Sequence, residues 1–90
     1  GSFAFIGNKL YGIGGSNLWV LDLANESGTI INAFSSVLGD PMPNTTRGMC
    51  SQGTLLWIAT GSGLWRYDTA TNTGKLFNTS TVLTGGGDPI

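Results

Sequence analysis

The sequence predicts an all-β protein built from two copies of one four-stranded antiparallel unit. Three observations carry this. The 90 residues match themselves when displaced by 46 positions. Short runs rich in β-branched, aromatic and other apolar residues alternate with Gly, Asn, Asp and Ser turn signals. No stretch shows the sustained apolar period of a helix.

The repeat comes first, because it sets the fold. At an offset of 46, Gly7 falls on Gly53, Leu10 on Leu56 and Gly15-Ser16 on Gly61-Ser62. Leu18-Trp19 falls on Leu64-Trp65, Asp22 on Asp68, Ala24 on Ala70, Gly28 on Gly74 and Asn32 on Asn78. That is 10 identities over positions 7–32, where ordinary composition gives roughly one or two. With small length changes Ser35-Ser36-Val37-Leu38 falls on Ser80-Thr81-Val82-Leu83, and Gly39-Asp40-Pro41 on Gly87-Asp88-Pro89. Residues 1–47 therefore form one unit with its connecting loop, and 48–90 a second with a C-terminal linker.

Within the first unit the strands read 3–6, 9–13, 17–23 and 29–34. Gly7-Asn8, Gly14-Gly15 and a turn through Gly28 divide them. The second unit reads 48–51, 54–60, 64–68 and 75–78, divided at Gln52-Gly53, at 61–63 and through Gly74. Asp22 and Asp68 end the third strand of each unit, where a carboxylate accepts from backbone N–H groups two or three residues on. Gly28 and Gly74 are expected to close that turn at positive φ. Four short strands in a meander, repeated every 40–50 residues or so, is the signature of β-propeller-type blades. Strands this apolar suit sheets covered on both faces, as stacked blades are. Two blades do not close a propeller, so the chain is expected to be part of a larger propeller or repeat array.

The run Leu56-Trp57-Ile58-Ala59-Thr60-Gly61-Ser62-Gly63-Leu64-Trp65-Arg66-Tyr67-Asp68 resembles the two-component-regulator propeller repeat, with its Leu-Trp-Ile-Gly-Thr strand, Gly-Leu turn and Tyr-Asp strand end. Ala59 stands where that family has Gly. Tyr11-Gly12-Ile13-Gly14-Gly15 with Trp19 looks more like kelch or quinoprotein-type blades. The resemblance implies a propeller fold and carries over no catalytic residue.

Composition narrows the function. Four basic and five acidic residues, net charge −1, leave no basic stripe for phosphates, which argues against nucleic acid. No apolar run approaches the ~20 residues of a membrane helix, and no signal peptide is recognisable. An opening Gly1-Ser2 in place of Met reads as a processed, tagged or excised chain. One cysteine and no histidine exclude an internal disulfide and a tetrahedral Cys/His zinc site. Cys50, aligned with the apolar Ala4, is expected to be a buried, inert thiol. No Asp-x-Asp-x-Asp loop offers calcium a site, and neither 12–15 nor 85–87 leads into the helix that a phosphate loop needs. Asp22 and Asp68 repeat a turn role and Asp40 and Asp88 sit in Gly-Asp-Pro turns, so no carboxylate pair faces a scissile bond. The expectation is a protein that is not an enzyme and uses no cofactor or metal.

Two candidate residue sets remain. Asn25, Asn44 and Asn78 each head an Asn-x-Ser/Thr sequon, with Asn44, in the long connection between units, the first choice. Trp19, Trp57 and Trp65 are candidates for ligand or sugar stacking, though their repeated strand positions read first as blade core. The expected function is a non-catalytic extracellular or cell-surface repeat module (periplasmic if bacterial). Its role is structural, as a candidate glycosylated, fibre-forming subunit. Its partners are identical chains or further repeats of the same chain, and glycans on the sequons. The alternative is a ligand- or carbohydrate-binding propeller, a lectin or a periplasmic sensor domain.

Overall fold

A computed structural model describes residues 3–14, 17–33, 35–43 and 46–77, with Asn32, Thr46 and Arg47 as backbone alone. The described residues are all-β and contain no helix. The first sheet is an antiparallel meander of β1 (Phe3–Ile6), β2 (Lys9–Gly14), β3 (Asn17–Asp22) and β4 (Ser27–Asn32), in that spatial order. The two-residue β5 (Leu38–Gly39) follows. β6 (Thr46–Gln52), β7 (Leu55–Thr60), β8 (Gly63–Asp68) and β9 (Thr73–Phe77) then form a second meander.

The two meanders share one register. Lys9 opposes Asp22 and Leu55 opposes Asp68; Leu18 opposes Ile31 and Leu64 opposes Phe77; Phe3 opposes Gly12 and Met49 opposes Ile58. Each pair lies 46 positions from its counterpart. The turns repeat as well. Gly7 (φ 60°) and Gly53 (φ 58°) open two-residue hairpin turns in the left-handed region, the geometry that matches strand twist. Leu23 N–H donates to Asn8 C=O at 3.3 Å, and Thr69 N–H to Thr54 C=O at 3.0 Å.

Two expectations need correction here. The turn after β3 and after β8 does not use Gly28 or Gly74 at positive φ. Glu26 (φ 54°) and Asn72 (φ 56°) take the left-handed conformation, and both glycines lie inside strands. The reason for glycine at 74 is close approach. A Cβ there would lie 2.5 Å from both the Asp40 carbonyl oxygen and the Trp65 ring. The second sheet also has five strands where four were expected. β5 runs parallel to β9, with Leu38 opposite Thr73 and Gly39 opposite Gly74.

The core lies between the sheets. Ala4, Tyr11 and Leu18 of the first face Leu56, Ile58, Trp65 and Tyr67 of the second. Ile6, Ile13, Val20 and Ile31 pack against this cluster from one side, Met49 and Leu76 from the other. The sheets come closest at β1 and β6. The connection adds Ala33, Val37 and Met42 to this core, Ala33 and Met42 fully buried. Among the described residues each sheet has one covered face and one uncovered, as two blades without further stacked neighbours leave them.

Candidate functional site

The uncovered faces are the candidate functional surfaces. Period-2 alternation assigns each side chain to one of two faces. In the first sheet, Ala4, Ile6, Tyr11, Ile13, Leu18, Val20 and Ile31 point to the second sheet. Moved by 46 positions, they become Cys50, Gln52, Trp57, Ala59, Leu64, Arg66 and Phe77, the outward face of the second sheet. The inward residues of that sheet, Leu56, Ile58, Trp65, Tyr67 and Leu76, correspond to Leu10, Gly12, Trp19, Leu21 and Ile30. Those form the outward face of the first. The two units thus pack head to tail. One kind of face meets the other, and one of each kind is left open.

The open face of the first sheet is apolar. Phe3 is 61% exposed, Phe5 57% and Ile30 68%. Phe3 meets Trp19 edge-on with centroids 5.6 Å apart. The Trp19 indole lies directly on Gly12, where any Cβ would collide with the ring. The open face of the second sheet is aromatic and cationic. Trp57 and Phe77 lie 5.9 Å apart. The Arg66 guanidinium sits 5.7 Å from the Trp57 ring centroid and 5.3 Å from that of Phe77, and the Lys75 ammonium 5.2 Å from Phe77. These are cation–π distances. Gln52 accepts the Trp57 indole N–H at 3.0 Å.

The three candidate tryptophans do not share a surface. Trp65 is fully buried between the sheets. It stacks on Tyr67 at 5.8 Å and donates its indole N–H to the Asp40 carbonyl at 3.0 Å. Trp19 and Trp57 are half-buried on opposite outer faces. Cys50 also departs from expectation. It is exposed, because its strand turns it to the open side of the second sheet opposite Trp57, while its counterpart Ala4 faces the core. Asn25 lies in the exposed turn after β3, its side-chain amide donating to the Asp22 carboxylate at 3.1 Å. Asn44 and Asn78 lie outside the described residues.

The turn aspartates act as their positions predict. Asp22 accepts from Ala24 N–H at 3.0 Å and Asn25 N–H at 3.3 Å, and Asp68 from Ala70 N–H at 2.9 Å. Desolvation pushes the Asp22 carboxyl up. The bonds from Asn25 and Ala24, with the Lys9 charge, outweigh it and hold the group below the usual aspartate value. Asp40 is a residue whose role sequence reasoning missed. Its N–H donates to Gly74 C=O at 3.0 Å, and its carboxylate accepts the Leu76 N–H at 2.7 Å. The recurrence of Gly-Asp-Pro was the available signal, but the pattern reads as a turn until its partner strand is known. Among the described residues no group of three or more acidic or Cys side chains is placed to hold a metal ion, and no helix is long and apolar enough to cross a membrane.

The chain matches no protein-family model, and no similar curated protein was found.

Proposed function

We propose that this chain is a non-catalytic repeat module of the β-propeller blade type, whose role is structural: it stacks head to tail with copies of itself or with further repeats. The observation that carries the reading is the pairing of faces. The contact inside the molecule joins two different faces, and the two surfaces left open are the repeat equivalents of that same pair. A contact of this kind is heterologous, so it propagates. Burying Phe3, Ile30 and their neighbours supplies about 1.5–3 kcal/mol for each large apolar side chain. Exposed apolar patches of this sort mark contact surfaces. The contact between β1 and β6, the first strands of the two units, favours a fan of blades about an axis near those strands. Closure takes about four to eight blades, hence about two to four copies of this chain. A contact that does not close gives a filament.

The setting that fits is extracellular or cell-surface, or periplasmic in a bacterium. A charge-poor surface of Ser, Thr and Asn supports this, as does a sequon at Asn25 in an exposed turn. Sedimentation over a micromolar concentration series tests the reading. The expected result is a defined oligomer or a growing array. A folded monomer at every concentration overturns self-assembly.

One observation favours a second reading. The half-buried Trp57–Phe77 pair, its rings tilted by 40°, with Arg66 over both rings, Lys75 over Phe77 and Gln52 bonded to the Trp57 indole, is an aromatic surface with polar groups beside it, which suits contact with a sugar ring. Glycan-array binding that disappears in Trp57→Ala, in a chain that stays monomeric, would favour a lectin-type role over assembly.

A further inference from the structure

The connection that leaves the first sheet does more than join the units. It covers the outer edge of β9. Leu38 N–H donates to Asn72 C=O at 2.9 Å and Asp40 N–H to Gly74 C=O at 3.0 Å. The Asp40 carboxylate takes the next outward-facing group, Leu76 N–H, at 2.7 Å. The Asp40 carbonyl takes the indole N–H of the fully buried Trp65 at 3.0 Å. Gly74 leaves room for this, since the atoms nearest an added Cβ belong to Asp40 and Trp65. Gly39, at φ 87°, leads the segment in.

β4 is the same edge of the first sheet, in the same register, and no described segment covers it. Ser27, Gly28, Thr29 and Ile30 are all exposed. Gly28 and Trp19 stand where the second sheet has Gly74 and Trp65. At Gly28 an added Cβ would make only ordinary contacts, 3.7 Å to the Val20 carbonyl and 3.9 Å to Leu21. The edge therefore keeps the residues that receive the segment, without the segment. Gly39-Asp40-Pro41 recurs as Gly87-Asp88-Pro89, in the stretch that follows β9.

We propose that Gly87-Asp88-Pro89 of one copy adds to the β4 edge of a second copy. On this reading the segment, which lies outside the described residues, takes on the β4 edge of the second copy the part that Gly39-Asp40-Pro41 takes on β9. The inference rests on the head-to-tail reading. Within the molecule the connection passes forward, from one unit to the edge of the unit stacked on it. Forward of the second sheet lies its open face, and the blade stacked there is, in this proposal, the first sheet of a second copy. The second-copy contact lacks one brace. Asn72 donates to Ser36 C=O at 2.8 Å and accepts from Tyr67 at 2.7 Å, and their counterparts on the first sheet are Glu26 and Leu21.

The test uses the full chain, with Asp88→Ala and Gly28→Ala as independent variants. Each removes about one charge-assisted hydrogen bond's worth of edge contact and weakens association about tenfold. The Ile30 amide exchanges more slowly on assembly of the unaltered chain, and neither variant shows that protection. If both variants assemble like the unaltered chain while Phe3→Asp, on the stacking face, does not, stacking stands and the edge contact is wrong. If Ile30 is protected in a monomer, the segment folds back on its own chain and the second-copy contact is wrong. A monomer with a freely exchanging Ile30 removes both.

Discussion

Gly28 and Gly74 hold the same register position inside strands, not at the turn, and this is where residue types alone mislead. Glycine serves positive φ or close approach, and a turn signal beside it suggests the first. The turn needs its left-handed residue two positions earlier, at Glu26 and Asn72, so both glycines were free to serve in strands. Gly74→Ala is expected to destabilise the chain by about 1–3 kcal/mol, as overpacking against backbone and a buried ring does. Gly28→Ala in the unassembled chain should be neutral or stabilising by about 0.5 kcal/mol, because alanine loses less chain entropy in a strand. Urea unfolding of the two variants side by side measures the difference. Tyr67 gives a second check at this scale. Desolvation raises its phenol, and the neighbouring Tyr11 and Asp68 add to the shift. A folded pKa above the unfolded value of about 10 means that this contribution is intact below pH ~10 and is lost as pH rises through the folded value. Tyr67→Phe should therefore flatten the alkaline fall in stability, read from urea midpoints across that range. It should also cost about 1 kcal/mol near neutrality through loss of the Asn72 bond.

At the scale of elements the hairpins were legible and the edge strand was not. Gly7-Asn8 makes the expected two-residue turn and Gly53-Thr54 makes one a residue later than the expected Gln52-Gly53, Asp22 and Asp68 tie the turns that follow their strands, and the 46-residue offset carries the register from one meander to the other. All of these signals are local in sequence. β5 is two residues long and pairs with a strand more than thirty positions away, so neither periodicity nor propensity marks it. The candidate surfaces were half-legible for a related reason. Alternation shows which residues share a face, but only the neighbouring sheet decides which face is buried. Trp65 is covered and Trp19 is not, although the sequence presents them alike. Asp40→Ala tests what the edge strand contributes. It should cost about 1–2 kcal/mol, at the low end for a bond to a charged acceptor because Asp40 is exposed. Asp40→Asn should recover part of that. Amide exchange at Leu76 should quicken in the alanine variant; exchange unchanged there would mean that the carboxylate bond has no energetic weight.

For the whole molecule the decisive feature is that the open faces differ. A symmetric dimer would need one face to match itself, whereas the contact already present joins unlike faces. Blocking one face should therefore leave the other able to bind. Phe3→Asp places a charge on the open face of the first sheet, at an exposed residue whose counterpart Met49 packs against the core. Ala59→Asp does the same on the open face of the second sheet, at the counterpart of Ile13, which packs inside the molecule. Either carboxylate would be desolvated without a partner in the stacked contact, a penalty of several kcal/mol that outweighs the apolar gain from one or two side chains. Each variant alone should sediment as a monomer at concentrations where the unaltered chain assembles. Mixed in equal amounts, the two should form a dimer and stop there. The Phe3→Asp chain still offers its second sheet, the Ala59→Asp chain its first, and the remaining faces are both blocked. Dimers of either variant by itself would indicate a symmetric contact and overturn the head-to-tail reading, and an equimolar mixture that stays monomeric would do the same.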